Sequence, residues 1–374
     1  MKWSSSMNIQ KVRESIPLTE EMVYLNVANH CPPSRPVQDA IRDFLTDWDR
    51  LVRNGDRRVE EACRSFGELI NASADEVACQ PNTSGGLTMV AETVDLKRGM
   101  NVVVNDLENP ANVYPWIAQR RRGVEVRIVR GVGGAVRVDD LEKAVDDETG
   151  VLAISHVQWF TGARTDLGEL AGIAHDHGAL LVVDGIQSAG SLAVDVKRDD
   201  VDFFACGSYK WLMGPSGAGF LYVRDELIDS LRPEFFGYRA VEEHSLEEPK
   251  LKDTAKKMEL GEPSYLSFVG TKAGIDMLIK LRPEAIEKRV LKLARLLFEG
   301  LVGLGVDIVS PAEEALRSGI VTFKTGDTER IYRSLTESGF VVSLRTVEIR
   351  ISPNFYNTED EVEKLLDHLE VLLR

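Results

Sequence analysis

Ala179-Leu-Leu-Val-Val-Asp184-Gly-Ile-Gln187 and, further on, Val201-Asp-Phe-Phe-Ala-Cys-Gly-Ser-Tyr-Lys210 are the stretches that decide how this chain folds. Each is a short apolar run that stops abruptly on a charge, a carboxylate in the first and an amine in the second. Continuous apolar runs of this length are the signature of strands buried on both faces of a parallel sheet. A charged residue at the C-terminal tip of such a strand sits where an open α/β sheet binds its ligands, in the crevice outside the carboxyl ends of the strands.

The surrounding sequence repeats the pattern. Residues 75–79, 101–105, 125–129, 151–155, 179–184, 202–206 and 217–223 read as strands. Residues 37–56, 59–70, 85–94, 111–121, 138–145 and 167–177 read as helices. Alternation of short apolar runs with amphipathic stretches predicts a mostly parallel sheet with crossover helices. The two runs flanking Lys210 also suit an antiparallel pair. Residues 240–257 are highly charged and read as a surface loop. Beyond them come helices at 270–281 and 284–304, strands at 306–309, 319–324, 340–343 and 347–351, and helices at 328–337 and 359–373, an α+β pattern. The first twenty residues are polar, irregular and then helical, and 24–30 reads as a short strand running into a loop.

A chain of 374 residues, 43% hydrophobic and 28% charged, can bury a sizeable core. Its formal net charge of −15 disfavours a nucleic-acid partner, because an acidic surface repels the phosphate backbone. No apolar stretch long enough to span a membrane stands out, and the start of the chain lacks the apolar segment of a signal peptide, so a cytoplasmic protein is expected. Cys31, Cys63, Cys79 and Cys206 match no zinc spacing and no dense disulfide framework. Gly131-Val-Gly-Gly134 is not followed by a helix and fails the dinucleotide fingerprint. His175-Asp-His177 reads as a solvated helix end, and no metal site is expected.

An acid and an amine on neighbouring strand tips can grip the two ends of one aromatic cofactor. Pyridoxal 5'-phosphate needs this pair: a lysine to form an imine with its aldehyde, and a carboxylate to keep its ring nitrogen protonated. Asn82-Thr83-Ser84-Gly85-Gly86 joins a strand to a helix, where free backbone N–H groups suit a phosphate. Arg350, in Glu348-Ile-Arg350-Ile-Ser-Pro-Asn-Phe-Tyr356-Asn-Thr, offers a planar fork that matches a carboxylate.

Taken together, Asp184-x-x-Gln187, Gly207-Ser-Tyr-Lys210, the Thr83-Ser-Gly-Gly turn and Arg350-x-Ser with Tyr356-Asn-Thr resemble the class V aminotransferases, within the fold-type I pyridoxal-phosphate enzymes. That group includes cysteine desulfurases, cysteine lyases, kynureninases and isopenicillin N epimerase-like proteins. The resemblance runs from about Tyr24 to the C-terminus. It implies an α/β fold: a large domain with a mostly parallel, seven-stranded-type sheet (31–257), a smaller α+β C-terminal domain (258–374), and an N-terminal segment (1–30) joining the small domain.

The resemblance also implies a set of roles. Lys210 carries the cofactor as a Schiff base and Asp184 pairs with its ring nitrogen. Thr83, Ser84 and Gly85, with Ser208 and Tyr209, hold the phosphate. Asn109 stands where the family places a stacking ring, which leaves Tyr114 to compensate or the ring face open. His156, at a strand end similar to the family's Thr-His-Val-x-Asn, takes a structural role or supports the cofactor from behind. Trp159 stands where the family has an asparagine near the phenolic oxygen, leaving Gln187 as that oxygen's main partner. Arg350 takes the substrate carboxylate, and Asn29 and His30 line the substrate pocket. Glu262 occupies a position where a partner subunit usually supplies a threonine to the phosphate; Ser264 substitutes for it, or Glu262 turns away. A homodimer with its active site at the subunit interface follows.

The family's desulfurases carry their sulfur-accepting cysteine on a loop before the carboxylate-binding arginine. Here Ser343-Leu-Arg345-Thr-Val-Glu-Ile-Arg350 is short and has no cysteine, which argues against a conventional desulfurase. The favoured activity is amino-acid transamination. Cysteine C–S lysis, epimerisation and a non-catalytic cofactor-binding role are the alternatives.

Overall fold

The structure, a computed structural model, describes residues 7–374, and the polar residues 1–6 lie outside that range. In chain order the strands are β1 (Val23–Tyr24), β2 (Val77–Gln80), β3 (Asn101–Asn105), β4 (Glu125–Val129), β5 (Thr149–Ser155), β6 (Leu180–Asp184), β7 (Phe203–Gly207), β8 (Gly219–Val223), β9 (Val241–Glu243), β10 (Lys250–Leu251), β11 (Asp307–Ile308), β12 (Val321–Lys324), β13 (Phe340–Val341), β14 (Ser343–Leu344) and β15 (Glu348–Ile351).

The central sheet has seven strands in the order β2-β8-β7-β6-β5-β3-β4. β8 runs antiparallel to both its neighbours, and the remaining pairs are parallel. The two runs flanking Lys210 thus form the antiparallel pair that the sequence left open. β5, β7 and β8 are buried along their whole length, which explains their unbroken apolar character. Their side chains still alternate. Leu152, Ile154, Leu181, Val183 and Phe204 enter the core on one face, while Val151, Ala153, Val182, Phe203 and Ala205 enter the core on the other. Register places Ser155 opposite Asp184 and Asp184 opposite Ala205, so β5 and β6 end level and β7 runs two residues further, to Gly207.

A second, antiparallel sheet, β11-β12-β15-β14, is built from the C-terminal part of the chain. Helices Pro283–Gly303 and Glu359–Leu373 cover it through Leu293, Leu297 and Leu365. The N-terminal stretch joins this part: β1 pairs in parallel with β13, and Asn26 bridges to Ser352. Helix Tyr265–Leu281 packs instead on helices Arg35–Thr46 and Gly55–Ile70, and its Phe268, Ile275 and Leu278 belong to the core beneath the central sheet.

The helix expected over 37–56 is divided. It forms Arg35–Thr46 and Trp48–Val52, and the next helix begins at Gly55. Asp47 and Asn54 leave helical geometry at the breaks, and both residue types compete for backbone hydrogen bonds. The helix expected over 111–121 is a chain of single turns, Pro110–Asn112, Tyr114–Ala118 and Gln119–Arg122. Pro110 and Pro115 start two of those turns. The charged stretch 240–257 contains the small β9–β10 hairpin, and the turn Ala255–Met258 that ends it is largely buried.

Gly185, immediately after Asp184, has no room for a side chain, because a Cβ there would overlap the Phe204 ring. Gly185→Ala is therefore expected to destabilise the protein by about 1–3 kcal/mol through overpacking. Urea unfolding should show a lower midpoint with an unchanged slope.

Candidate active site

A cavity of about 460 Å³ opens at the carboxyl ends of the parallel strands. It brings together residues that are far apart in the chain: Thr83 and Ser84, Asn109, Asp184, and Tyr209 with Lys210. Each arrives for a local reason. Asp184 ends β6, and its Oδ1 accepts the Ile186 N–H at 3.0 Å, a tight turn that fixes the carboxylate at the strand tip.

Lys210 follows β7 on a short loop whose next three residues, Trp211, Leu212 and Met213, are buried. Gly214 N–H donates to Ser208 O at 2.9 Å, and Met213 N–H to Lys210 O at 3.0 Å, closing the loop. Gly214 lies so close to Thr271 that a Cβ would overlap its hydroxyl. The lysine backbone is thereby anchored while its amine reaches the cavity.

Thr83 begins helix Thr83–Thr93. Asn82 caps that helix: its side chain accepts from Gly85 N–H at 2.9 Å, and its carbonyl from Gly86 N–H at 3.2 Å. The first-turn amides of Thr83 and Ser84 have no intrahelical acceptor, and the positive end of the helix lies at the cavity wall. Thr83 Oγ1 accepts from Gly207 N–H at 2.8 Å, tying this turn to the end of β7. An anion such as a phosphate fits here.

The buried carboxylate of Glu108 knits the opposite side. It accepts from Asn105 Nδ2 (2.7 Å), Asn112 Nδ2 (3.0 Å), Ser155 N–H (2.8 Å), Ser155 Oγ (2.5 Å) and Gln158 Nε2 (2.7 Å). This network holds the loop that carries Asn109, whose own Oδ1 accepts from Ala111 N–H at 3.0 Å.

Burial sets the electrostatics. It pushes the Asp184 carboxyl up, against the Ile186 N–H; Glu108 adds to the rise and Lys210 opposes it. It pushes the Lys210 amine below the usual lysine value of 10.5, against the pull of Asp184, and Arg350 and Arg345 push it further down. Burial disfavours the charged form of both groups; the Ile186 N–H and then Lys210 favour it for Asp184, and Asp184 favours it for Lys210.

Arg350, on β15, is 1% exposed. One terminal nitrogen donates to Trp159 O at 2.5 Å, while Nε and the other terminal nitrogen have no partner. Each unsatisfied buried donor costs about 1–3 kcal/mol, so this fork is built for a ligand that the protein itself does not supply. Burial, with Arg345 nearby, pulls its pKa down to about 9.

Several expected residues stand elsewhere. His156 lines a separate cavity with Arg164, Thr165 and Asp166, because its neighbour Ser155 takes the Glu108 side of the strand end. Its Nδ1 is unpaired, and burial pulls its pKa down to about 3, so the ring is neutral. Gln187 is absorbed in holding the lysine loop: Nε2 donates to Ala28 O at 3.0 Å, and Oε1 accepts from Trp211 Nε1 at 2.8 Å. The Ser208 hydroxyl lies against Pro215 O at 2.5 Å and Ala218 O at 2.8 Å.

Gly85 is engaged by the Asn82 cap. Asn29 and His30 are exposed, and the His30 ring lies 4.9 Å from that of Tyr209. Tyr114 is 66% exposed, outside the cavity, and the aromatic rings in the wall are Trp159 and Tyr209. Ser264 caps helix Tyr265–Leu281 through its contact with Ser267 and lies beside Gly217 at the cavity edge, while Glu262 is exposed. Ser216 and Gly217, also in the wall, carried no sequence signal beyond a turn before β8.

The class V aminotransferase family model matches residues 23–365, and the chain belongs to that family. Its cofactor is pyridoxal 5'-phosphate. A probable cysteine desulfurase of Methanothermobacter thermautotrophicus is 30% identical, with 97% of this chain and 98% of the relative covered. An uncharacterized aminotransferase of Bacillus subtilis is 27% identical, with 96% and 97% covered. The solved apo structure of a cysteine desulfurase from Thermococcus onnurineus NA1 superposes with a TM-score of 0.91 at 28% identity, covering 99% of each chain. Among the described residues no helix is long and apolar enough to cross a membrane.

The depressed Lys210 pKa gives a testable profile. Only the neutral amine attacks an aldehyde, and a lowered pKa extends the neutral form to lower pH. The rate of cofactor capture by apo-protein should rise with pH around a midpoint below 10.5. Arg350→Gln removes one of the charges that depress the amine, so it should move the midpoint upward. Stopped-flow absorbance would measure both, and a midpoint unmoved by the substitution contradicts the coupling.

Proposed function

We propose that this protein is a pyridoxal-phosphate-dependent lyase that cleaves the Cβ–S bond of a cysteine-type amino acid and releases the sulfur group into solution. The observation that carries this reading is the buried, half-satisfied Arg350 guanidinium on the same electrostatic site as Lys210, with no activated thiol beside it. The names of the relatives point to sulfur chemistry on cysteine. The cysteines of this chain point away from a protein-bound sulfur relay.

Burial pushes the Cys31 thiol up to about 12, and the thiols of Cys63, Cys79 and Cys206 are also raised. A thiol held protonated is a poor nucleophile and a poor sulfur acceptor. The Cys31 sulfur is packed against Tyr356 and Asn354.

When bound, pyridoxal phosphate supplies an aldehyde that condenses with an amine and a ring that accepts electron density from the substrate's α-carbon. The residues of the chain do the remainder. The first-turn amides of Thr83 and Ser84 hold the phosphate at the helix terminus. Asp184 holds a proton on the ring nitrogen. Arg350 orients the substrate by its α-carboxylate. Lys210 accepts the α-proton, and the Cβ–S bonding pair leaves with the sulfur group. Hydrolysis of the remaining three-carbon fragment gives pyruvate and ammonia, so atoms and charge balance without an added oxidant. Asn109 and Trp159 bound the space around the ring. A homodimer belongs to this reading, with the exposed Phe235, Phe236 and Tyr238 as apolar surface for a second copy.

The test is to assay purified, cofactor-loaded protein with cysteine and cystine, measuring pyruvate and sulfide or persulfide together. Pyruvate should form in step with released sulfur, and iodoacetamide pretreatment should leave the rate within about twofold, because the four thiols are held protonated and Cys63, Cys79 and Cys206 are buried as well. Alanine in place of pyruvate, with loss of activity on alkylation, would indicate a protein persulfide instead. Formation of a keto acid only when an amino acceptor is added would favour the transaminase reading, which the Bacillus subtilis relative's name supports. Lys210→Ala should abolish turnover at least 1,000-fold, as removal of an essential acid–base group does.

A further inference from the structure

Arg345 stands at the tip of the hairpin that carries Arg350. β14 and β15 pair with Ser343 opposite Arg350, and Arg345 N–H donates to Glu348 O at 2.8 Å to close the turn. The Arg345 guanidinium carbon lies 5.4 Å from the centre of the Trp159 ring, and the carbonyl of that same Trp159 receives Arg350. Trp159 is part of the wall of the Lys210 cavity. The two arginines therefore approach one wall from one hairpin.

Arg345 is as poorly satisfied as Arg350. Its one hydrogen bond from the guanidinium is a long contact to Ser343 Oγ at 3.4 Å, and its Nε is buried without a partner. Among the described residues neither arginine has a carboxylate partner. Both act electrostatically on Lys210, and Asp184 is the one carboxylate that draws the amine toward its charged form. A simple amino acid brings one carboxylate, which satisfies Arg350 and leaves the second fork unpaired beside it. Two like charges held together in a partly dry wall repel unless an anion lies between or beside them.

We propose that the substrate carries a second anionic group on its side chain, an oxyanion such as a carboxylate or sulfonate, which Arg345 receives while Arg350 holds the α-carboxylate. This rests on the assignment of Arg350 in the reading above and narrows the substrate to acidic or acid-substituted amino acids. A cysteine-type member of that class is cystine, whose distal half ends in a carboxylate and leaves as cysteine persulfide. Trp159 keeps the Arg345 fork in place through its ring face, and Ser343, whose hydroxyl also donates to Asn26 Oδ1 at 2.6 Å, fixes the base of the hairpin.

Binding of maleate and of propionate to the cofactor-loaded protein, measured by calorimetry, tests this without any reaction. Neither compound has an amine, so the result does not depend on which bond the enzyme breaks. Maleate should bind at least tenfold more tightly than propionate. Arg345→Gln should cut that ratio at least fivefold, and Arg345→Lys should restore part of it. In turnover, the ratio of kcat/KM for cystine over S-methylcysteine should fall by a similar factor in Arg345→Gln. Equal binding of maleate and propionate, or a ratio indifferent to Arg345→Gln, overturns the second-anion assignment. If maleate is preferred and the preference depends on Arg345, yet no pyruvate forms from any cysteine derivative, the lyase reading fails while the anion site stands.

Discussion

Desolvation of charge is the constraint on which this site depends. Asp184, Lys210 and Arg350 are each removed from most of their water, and none is neutralised by a conventional ion pair in the protein. Burying an ion costs several kcal/mol even after the protein relaxes. A fold tolerates that cost when the surrounding structure is rigid and when a ligand supplies the missing partners. The rigidity is visible in the paired ends of β5, β6 and β7, in the buried Trp211-Leu212-Met213 behind the lysine, and in the five donors converging on Glu108. The missing partners are an aromatic cation for Asp184, an aldehyde for Lys210 and a carboxylate for Arg350. Pyridoxal phosphate would supply the first two, and an amino-acid substrate would supply the third.

Glu108 shows how positioning and tuning are linked. Its hydrogen bonds join the end of β3, the end of β5 and the loop bearing Asn109, so it determines where the cavity wall stands. The same charge raises Asp184. A higher Asp184 pKa means a more basic carboxylate, and a more basic carboxylate holds a proton on a neighbouring ring nitrogen more firmly. Removing Glu108 would therefore disturb geometry and electrostatics together.

The residues legible in the sequence are those whose signal is local. Asp184 and Lys210 end apolar runs, Thr83 and Ser84 sit between a strand and a helix, and Arg350 lies inside a compact motif; each can be found within a dozen residues. The structure gathers Thr83, Ser84, Asn109, Asp184, Tyr209 and Lys210 around one cavity because those strand and helix ends lie on one edge of the sheet. The orientation of Gln187 was not legible. Its partners, the Ala28 carbonyl and the Trp211 indole, come from the N-terminal loop and the lysine loop, and nothing near Gln187 announces them. The cavity that His156 lines was hidden for a related reason: strand alternation decides which face a side chain takes, and a one-residue difference carries it to another cavity. The breaks at Asp47 and Asn54 were hidden beneath a helical apolar period that continued across them.

Arg345 belongs to the same illegible class, and it changes what the site selects. In sequence it is one charge among many on a short polar turn. In the fold, hairpin register turns it toward the wall that Arg350 already occupies, and Trp159 meets both, its ring facing Arg345 and its carbonyl receiving Arg350. The short hairpin thus has two consequences with one cause. It omits the loop on which a sulfur-accepting cysteine would ride, and it brings a second guanidinium close enough to the lysine to lower its pKa. A site with no activated thiol among its described residues and two guanidiniums on one wall is suited to substrates that carry their own leaving group and a further negative charge, and that combination is what an S-linked amino diacid presents.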